Sequence, residues 1–445
     1  MEKERFSRPS LKLFQKSSAG IRRAARLELT RVAAGSAVTL AVFTLIGLFT
    51  NVLLARLLAP EGLGTYASAF ALANVLAVLA SAGIPTTLAR MLPTYRSQQD
   101  PSHARGCLLW AFAHAGAVSV ALAVLVALMA SLLGHAEPQS AYLLAALLVP
   151  LMAFARLQQG ALQGMERVVS AQVPERLIRP IAFALLLLLW PALAAGAERT
   201  AAGAMGWQLA AAGGGVLVGI ALMARYGAEW ITPASARFQL RSWYRCGTLI
   251  AAANLAQVVS GQAGLAILPL FEEPAPIGYY RVALVMASFV GYPSMIVVSP
   301  LGALIARMHA EGQQADLERL VVTSARLAWV GSILAAVTLV MFGQLLLTAL
   351  FGGDFADAYP LLTVLAIGEF CTVPATWRIL VLQMTGRERT AADCLVIGAG
   401  IYLVLTVALS ALYGVAGAVI ADAASRLLVS LLLIFRSRQA AAAAS

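Results

Sequence analysis

Twelve times along this chain, a run of about twenty mostly apolar residues is long enough to cross a bilayer. The runs lie near 32–54, 66–84, 107–133, 141–157, 177–194 and 201–224, then near 247–270, 279–305, 320–350, 358–382, 394–412 and 415–435. A segment in hydrocarbon must satisfy its backbone polar groups internally, so each run is expected to be a helix. The 445 residues would otherwise suggest two or three soluble domains. Composition removes that option. Hydrophobic residues make up 60% of the chain, charged residues 12%, and the mean hydropathy is +0.81. A soluble chain carries roughly 25% charged residues, and this one has too few to cover its surface. The expected fold class is all-α, a polytopic membrane protein. A secreted domain, a disordered scaffold and a soluble enzyme are excluded.

The net charge of +11 does not point to nucleic acid. In a membrane chain, Lys and Arg gather in the cytoplasmic loops. With the N-terminus placed inside, 29 of the 32 basic residues fall on one side. Only Arg56, Arg199 and Arg281 fall on the other. That side holds Glu61, Glu137, Glu198, Glu272, Glu273, Asp354 and Asp357 instead. Both termini are therefore expected in the cytoplasm. Residues 1–31 read as a basic interfacial segment, in which Lys12, Lys16, Arg22, Arg23 and Arg26 alternate with Leu13, Phe14, Ile21 and Leu27. Residues 437–445 form a cytoplasmic tail. The outer loops, such as 59–64 and 351–357, are too short to form a domain. This counts against a membrane-embedded glycosyltransferase, polymerase or ligase. Cys107, Cys246, Cys371 and Cys394 form no C-x-x-C pair, so no metal, redox centre or other cofactor is expected.

The chain repeats itself. Leu63-Gly64-Thr65-Tyr66 matches Ile277-Gly278-Tyr279-Tyr280, and Leu88-Ala89-Arg90-Met91 matches Ile305-Ala306-Arg307-Met308. Arg156, Gly164, Glu166 and Arg167 match Arg378, Gly386, Glu388 and Arg389 at one offset of 222, and Ala202-Gly203-Ala204 matches Ala416-Gly417-Ala418. Each half holds six spans, an even number, so the halves run in the same direction. The expected domains are an N-lobe at 32–230 with helices 1–6 and a C-lobe at 231–436 with helices 7–12. Parallel repeats of this kind build transporters with the pathway between the halves.

Charge at membrane depth is costly and needs a reason. Arg156 and Arg378 are repeat mates. Two readings stand: both snorkel to the cytoplasmic interface, or both line the inner mouth of a cavity, where the planar guanidinium fork suits a diphosphate. Arg281, one turn into the eighth span, is an interfacial anchor or a cavity residue. Arg56 is expected to bond the short outer loop. Asp422 and Arg426 stand at i,i+4 and should neutralise each other. Glu369 is different. Its nearest charge along the helix, Arg378, is nine residues away, about 900° of rotation, on the opposite face. Glu369 must pair with another helix, stay protonated or face water. It is the candidate ion-coupling residue. Asn254, Gln257, Gly261 and Gly264 share one face of the seventh span, with a weaker version at Ser36, Gly47, Thr50 and Asn51 in the first. Such a face packs closely against another helix or lines a sugar-accommodating cavity. The candidate substrate-binding set is Arg156, Arg378, Arg281, Asn254, Gln257 and Asn51.

The segment Leu54-Ala-Arg-Leu-Leu-Ala-Pro-Glu-Gly-Leu-Gly-Thr-Tyr66, preceded by Gly35-Ser36, resembles the opening of bacterial polysaccharide flippases, with their L-A-R-x-L-x-P-x-x-F/L-G-x-Y pattern. Ala82-Gly83-Ile84 and Phe351-Gly352-Gly-Asp-Phe355 are also similar. These proteins belong to the multidrug/oligosaccharidyl-lipid/polysaccharide exporter superfamily. The resemblance implies a non-enzymatic flippase in the bacterial inner membrane. Its cargo would be undecaprenyl-diphosphate-linked oligosaccharide, moved by alternating access between two six-helix lobes. Implied partners are that lipid-linked oligosaccharide, membrane lipids, and a polysaccharide polymerase with its assembly proteins; nucleic acid is not among them. Three other readings stand behind it: a lipid II flippase, a cation-coupled multidrug exporter, and a non-transporting scaffold of the assembly complex. The first two spans hold no acid, which counts against the cation exporter. No G-x-x-x-x-G-K-[ST] motif is present, so an ion gradient or downstream polymerisation must drive transport.

Overall fold

A computed structural model describes residues 10–132, 136–193, 198–227, 235–298, 313–384 and 388–442, together with Leu301, Ile305, Met308, Glu311 and Gly386. Side chains before residue 44 and after residue 436 lie outside the description, as does the side chain of Cys246. The expected interfacial character of 1–31 and the tail at 437–445 therefore fall outside it. The described residues are helical, without strands.

The helices are α1 (Ser10–Ser81), α2 (Ile84–Ser97), α3 (Pro101–Ser131), α4 (Ala136–Gly164), α5 (Val168–Val173) and α6 (Arg179–Leu193), followed by α7 (Ala201–Gly227) and α8 (Leu240–Ile267). Then come α9 (Pro274–Ala287), α10 (Tyr292–Val298), α11 (Gln314–Phe351), α12 (Tyr359–Met384) and α13 (Glu388–Ala442). Among the described residues nine helices are long and apolar enough to span, and the bent pair α9–α10 makes a tenth. Two of the nine stretches, Thr44–Ser97 and Arg389–Arg436, run to 54 and 48 residues. At 1.5 Å per residue each is far longer than the ~30 Å hydrocarbon core. Each is two spans folded at a kink, which gives twelve.

The kinks have local causes. Ala59 stands at φ 55, ψ 179 immediately before Pro60. Proline disfavours helical geometry in the residue before it and removes a backbone donor, so the first span ends there and Pro60 opens the second. Gly414 stands at φ 57, ψ −134, a region that glycine enters without Cβ strain. The helix that restarts after it is capped by Glu272, whose Oε2 accepts from Val415 N–H at 3.1 Å.

Loops collect at two ends of the bundle. At one end, Glu272 meets Val415, and Arg56 donates to the Leu350 and Ala349 carbonyls at 2.8 and 2.7 Å. At the other, Arg96 faces Glu166 at 3.6 Å, and Arg237 N–H donates to Ser102 O at 3.0 Å. These are the acidic and basic ends expected from the charge partition. Arg56 bonds outer-loop neighbours as expected, by capping the carboxyl end of α11.

The apolar clusters show how the halves meet. One cluster runs across both lobes near the acidic end, joining Leu63, Tyr66 and Met205 to Ile277, Tyr280, Phe351 and Phe355. Towards the basic end the cores separate. Leu88, Leu92, Cys107, Trp110 and Leu162 form one in the N-lobe. Val373 and Trp377, and then Leu382, Cys394 and Leu433, form two in the C-lobe. The lobes therefore share a core at the acidic end, while at the basic end the N-lobe core takes in Trp243 from the start of α8 and the two C-lobe clusters stand apart from it.

Candidate functional site

The seam between the lobes is closed at the acidic end by backbone packed on backbone. A Cβ on Gly64 would run into the Pro274 carbonyl, and one on Gly278 into the Pro60 carbonyl. Below this closure, Arg281 on α9 reaches across to Asn51 on α1. Its Nε and Nη2 donate to Asn51 Oδ1 at 3.3 and 3.1 Å, while Asn51 Nδ2 donates to Gly47 O at 2.8 Å. Two of the predicted residues thus meet each other across the lobes.

Two more, Arg156 and Asn254, line one polar cavity of about 200 Å³ between α1, α2, α4 and α8. Ser81, Thr86, Gln159 and Gln163 complete its polar wall. Arg156 Nη2 donates to Asn74 Oδ1 at 2.7 Å, which points the guanidinium inward rather than along the helix to the interface. Gln257 is exposed one turn further along α8 and is not part of this wall. Arg378 is half-buried on α12 and does not line this cavity.

Each lobe carries a charged cluster. In the N-lobe, Arg179 Nη1 donates to Glu175 Oε2 at 2.8 Å, and its guanidinium lies 5.7 Å from the Phe70 ring centre. Gln208, its amide oriented to accept, takes Arg179 Nη2 at 2.8 Å and Nε at 3.0 Å. Glu175 sits in a π-helical turn, Pro174–Ile178, and lies within electrostatic reach of Arg156. Such turns rotate side chains off the α-helical register and are frequent at functional sites. In the C-lobe, Arg426 bonds Asp422 through Nε at 2.7 Å and Glu369 through Nη1. Asp422 is 3% exposed, Glu369 19% and Arg426 25%. Of the three alternatives its sequence position left open, Glu369 takes the first: its partner is on another helix and is shared with Asp422.

Arg156, Arg179 and Glu175 sum to +1. Glu369, Asp422 and Arg426 sum to −1. With every group ionised, the N-lobe cluster is therefore net positive and the C-lobe cluster net negative. Glu369 also lies against the broken eighth span: a Cβ at Gly291, where α9 and α10 bend by 45°, would come 2.7 Å from Glu369 Oε1.

Along the chain Arg179 is only one of the 29 basic residues of one side, and Asn74, Glu175 and Gln208 are not among the candidate residues. A signal for Gln208 existed. At the offset of 214 that relates Tyr66 to Tyr280 and Gly203 to Gly417, Gln208 falls on Asp422. No comparable pattern marked Glu175, since a π-turn depends on local packing.

Two parallel six-helix lobes with a polar seam between them define a membrane transporter fold. The chain resembles three solved structures. An inward-facing multidrug resistance MATE family transporter of the MOP superfamily is 13% identical, with TM-score 0.72 over 90% of this chain and 95% of that one. The lipid II flippase MurJ in an inward closed conformation is 14% identical, with TM-score 0.65 over 90% of this chain and 87% of that one. An outward-facing MATE family transporter is 12% identical, with TM-score 0.61 over 93% and 95%. No curated protein sequence matches the chain. Residues 33–309 match the family model described as polysaccharide biosynthesis protein, and the chain belongs to that family.

Proposed function

We propose that the protein is a non-enzymatic flippase for polyprenyl-diphosphate-linked oligosaccharide, working by alternating access in the bacterial inner membrane with both termini in the cytoplasm. The observation that carries this reading is the polar cavity between the lobes, with Arg156 aimed into it and Asn254 facing it from α8. A guanidinium stays charged and binds phosphate oxygens in pairs, and the surrounding amides and hydroxyls can exchange hydrogen bonds with sugar hydroxyls. Membership of the polysaccharide biosynthesis family supports the class of cargo.

In this reading the acidic end is the periplasmic end, and the conformation described is closed there. The cargo enters from the basic end, the Gly64–Gly278 closure parts, and the cavity opens to the opposite side. Glu369 is the candidate for coupling this motion to an ion gradient. Arg426 sits between its carboxylate and that of Asp422, so a coupling cation or proton would have to compete with an internal guanidinium. Cells lacking the protein should accumulate the lipid-linked repeat unit on the cytoplasmic leaflet, and the intact chain should relieve this. Accumulation on the periplasmic leaflet would place the protein after translocation and end the flippase reading. Cysteine labelling from the periplasm should modify a probe at Glu137 and spare one at Arg237. The reverse pattern would invert the topology.

A further inference from the structure

The stretch that leads into α8 carries a second cavity, of mixed polar and apolar lining and separate from the one at the seam. It has a volume of about 860 Å³ and is lined by Met91, Phe238, Leu240, Arg241, Ser242 and Arg245 at the basic end of the bundle. Arg241 and Arg245 stand at i,i+4 on the first turns of α8, with Ser242 between them, so their side chains share one face. Phe238 and Leu240 flank them with 57% and 46% of their surface exposed. The same helix runs on into the seventh span, Ala251–Leu270. These residues therefore sit where a span leaves the hydrocarbon, with apolar side chains exposed beside two exposed guanidiniums.

The opposite face of this turn is fixed. Trp243 is fully buried, its Nε1 donates to Tyr95 Oη at 2.7 Å, and its ring lies 5.2 Å from that of Trp110. Gln239 meets His103 at 3.0 Å and Tyr244 meets His114 at 3.1 Å. The N-lobe thus anchors the start of α8 and sets which face of its first turns looks outward.

We propose that this face is a binding site for the phosphate headgroup of an anionic phospholipid in the membrane leaflet at the basic end. Both arginines supply charge, and Arg241 supplies bidentate donors for the phosphate. Phe238 and Leu240 enter the acyl boundary beside it, the arrangement by which interfacial segments hold anionic membranes. A soluble phosphate would have no use for the exposed aromatic and aliphatic flank. The bound lipid would sit at the joint between the lobes, attached to the linker that follows the N-lobe. The proposal rests on this surface alone and is independent of the cargo assigned to the seam.

The full-length protein, reconstituted in mixed phosphatidylglycerol and phosphatidylcholine vesicles and released into the gas phase for native mass spectrometry, should retain phosphatidylglycerol in preference. Each basic residue at an anionic surface is worth roughly a fivefold change in affinity, so Arg241→Ala with Arg245→Ala should weaken retention about twenty-five-fold. Arg241→Lys with Arg245→Lys should keep most of it. Equal retention of both lipids by the unmodified protein, or unchanged retention in the double alanine variant, would overturn the proposal. Should that variant fail to fold, the unmodified protein decides the matter. Surface charge is screened by salt, so its preference for phosphatidylglycerol should fall between low and high ionic strength. A preference unaffected by salt would also overturn the proposal.

Discussion

Gly64 and Gly278 are repeat mates, and each is packed against the loop that leads into the other's helix. Gly64 lies on the Pro274 carbonyl and Gly278 on the Pro60 carbonyl. Each glycine stands four residues after its own proline. The contact is reciprocal, as in a two-fold interface, and it exists only while the acidic end is closed. A side chain at either position has no room, because the obstacle is backbone. Gly64→Val or Gly278→Val should therefore disfavour the closed end. Overpacking costs about 1–3 kcal/mol, enough to shift a two-state equilibrium roughly five- to 150-fold. Spin labels at Glu61 and Glu273, both exposed, should report longer distances in either variant. Unchanged distances would mean that the closure yields elsewhere.

Arg156→Ala should lower transport about ten- to 150-fold with protein level maintained, since hydrogen bonds to a charged group contribute about 1.5–3 kcal/mol. Arg156→Lys should restore part of the rate, because charge returns without the fork. Arg378→Ala should have a smaller effect, as Arg378 does not line the cavity that holds Arg156. The check is a leaflet-resolved transport assay on reconstituted variants. Equal losses for the two alanine variants would show that the cavity is not the phosphate site.

The Glu369–Arg426–Asp422 cluster predicts a stability effect. Arg426→Ala leaves the buried Asp422 and the half-buried Glu369 without their shared partner, and breaking a buried pair from one side costs about 3–5 kcal/mol. The melting temperature in detergent should fall sharply. Glu369→Gln with Asp422→Asn, added to Arg426→Ala, should recover much of it by removing the stranded charge. Glu369→Gln alone separates coupling from structure. A changed pH or sodium dependence of transport with normal folding indicates coupling, whereas a flat profile at full rate removes Glu369 from the mechanism.

At the basic end Asp100 caps α3. Its carboxylate accepts from the His103 ring at 2.6 Å and from His103 N–H at 3.1 Å. The side-chain bond first, then the backbone bond, lowers its pKa below the ordinary carboxylate value. A depressed folded pKa stabilises the fold above the unfolded value, and the gain is lost as pH falls through the folded value. The Trp243–Tyr95 docking should therefore be insensitive to Asp100 titration at neutral pH and weaken only below about pH 4. Asp100→Asn should remove that acid limb from the fluorescence of a variant that keeps Trp243 as its sole tryptophan. An identical acid limb in the Asn variant would assign it to another group.

The sequence by itself determined the number of spans, their grouping at two ends and the parallel repeat. These follow from local rules. Twenty apolar residues match a bilayer, basic residues gather on one side, and Pro60, Gly83 and Gly414 mark where helices bend or stop. It also showed that Glu369 had to pair with another helix, stay protonated or face water, because burial of a lone charge is costly wherever it occurs. Only the tertiary structure decided which groups answer each other. Arg426 reads in sequence as the i,i+4 mate of Asp422, and it does bond Asp422, yet it also serves Glu369 from 57 positions away. Arg281 and Asn51 lie 230 positions apart and meet only because the lobes cross at the acidic end. Arg156 and Arg378 look equivalent along the chain, but Arg156 lines a cavity from which Arg378 is absent. A repeat fixes the positions of backbones, whereas the partner of a buried charge depends on side chains contributed by the other half, and in those the two halves have diverged.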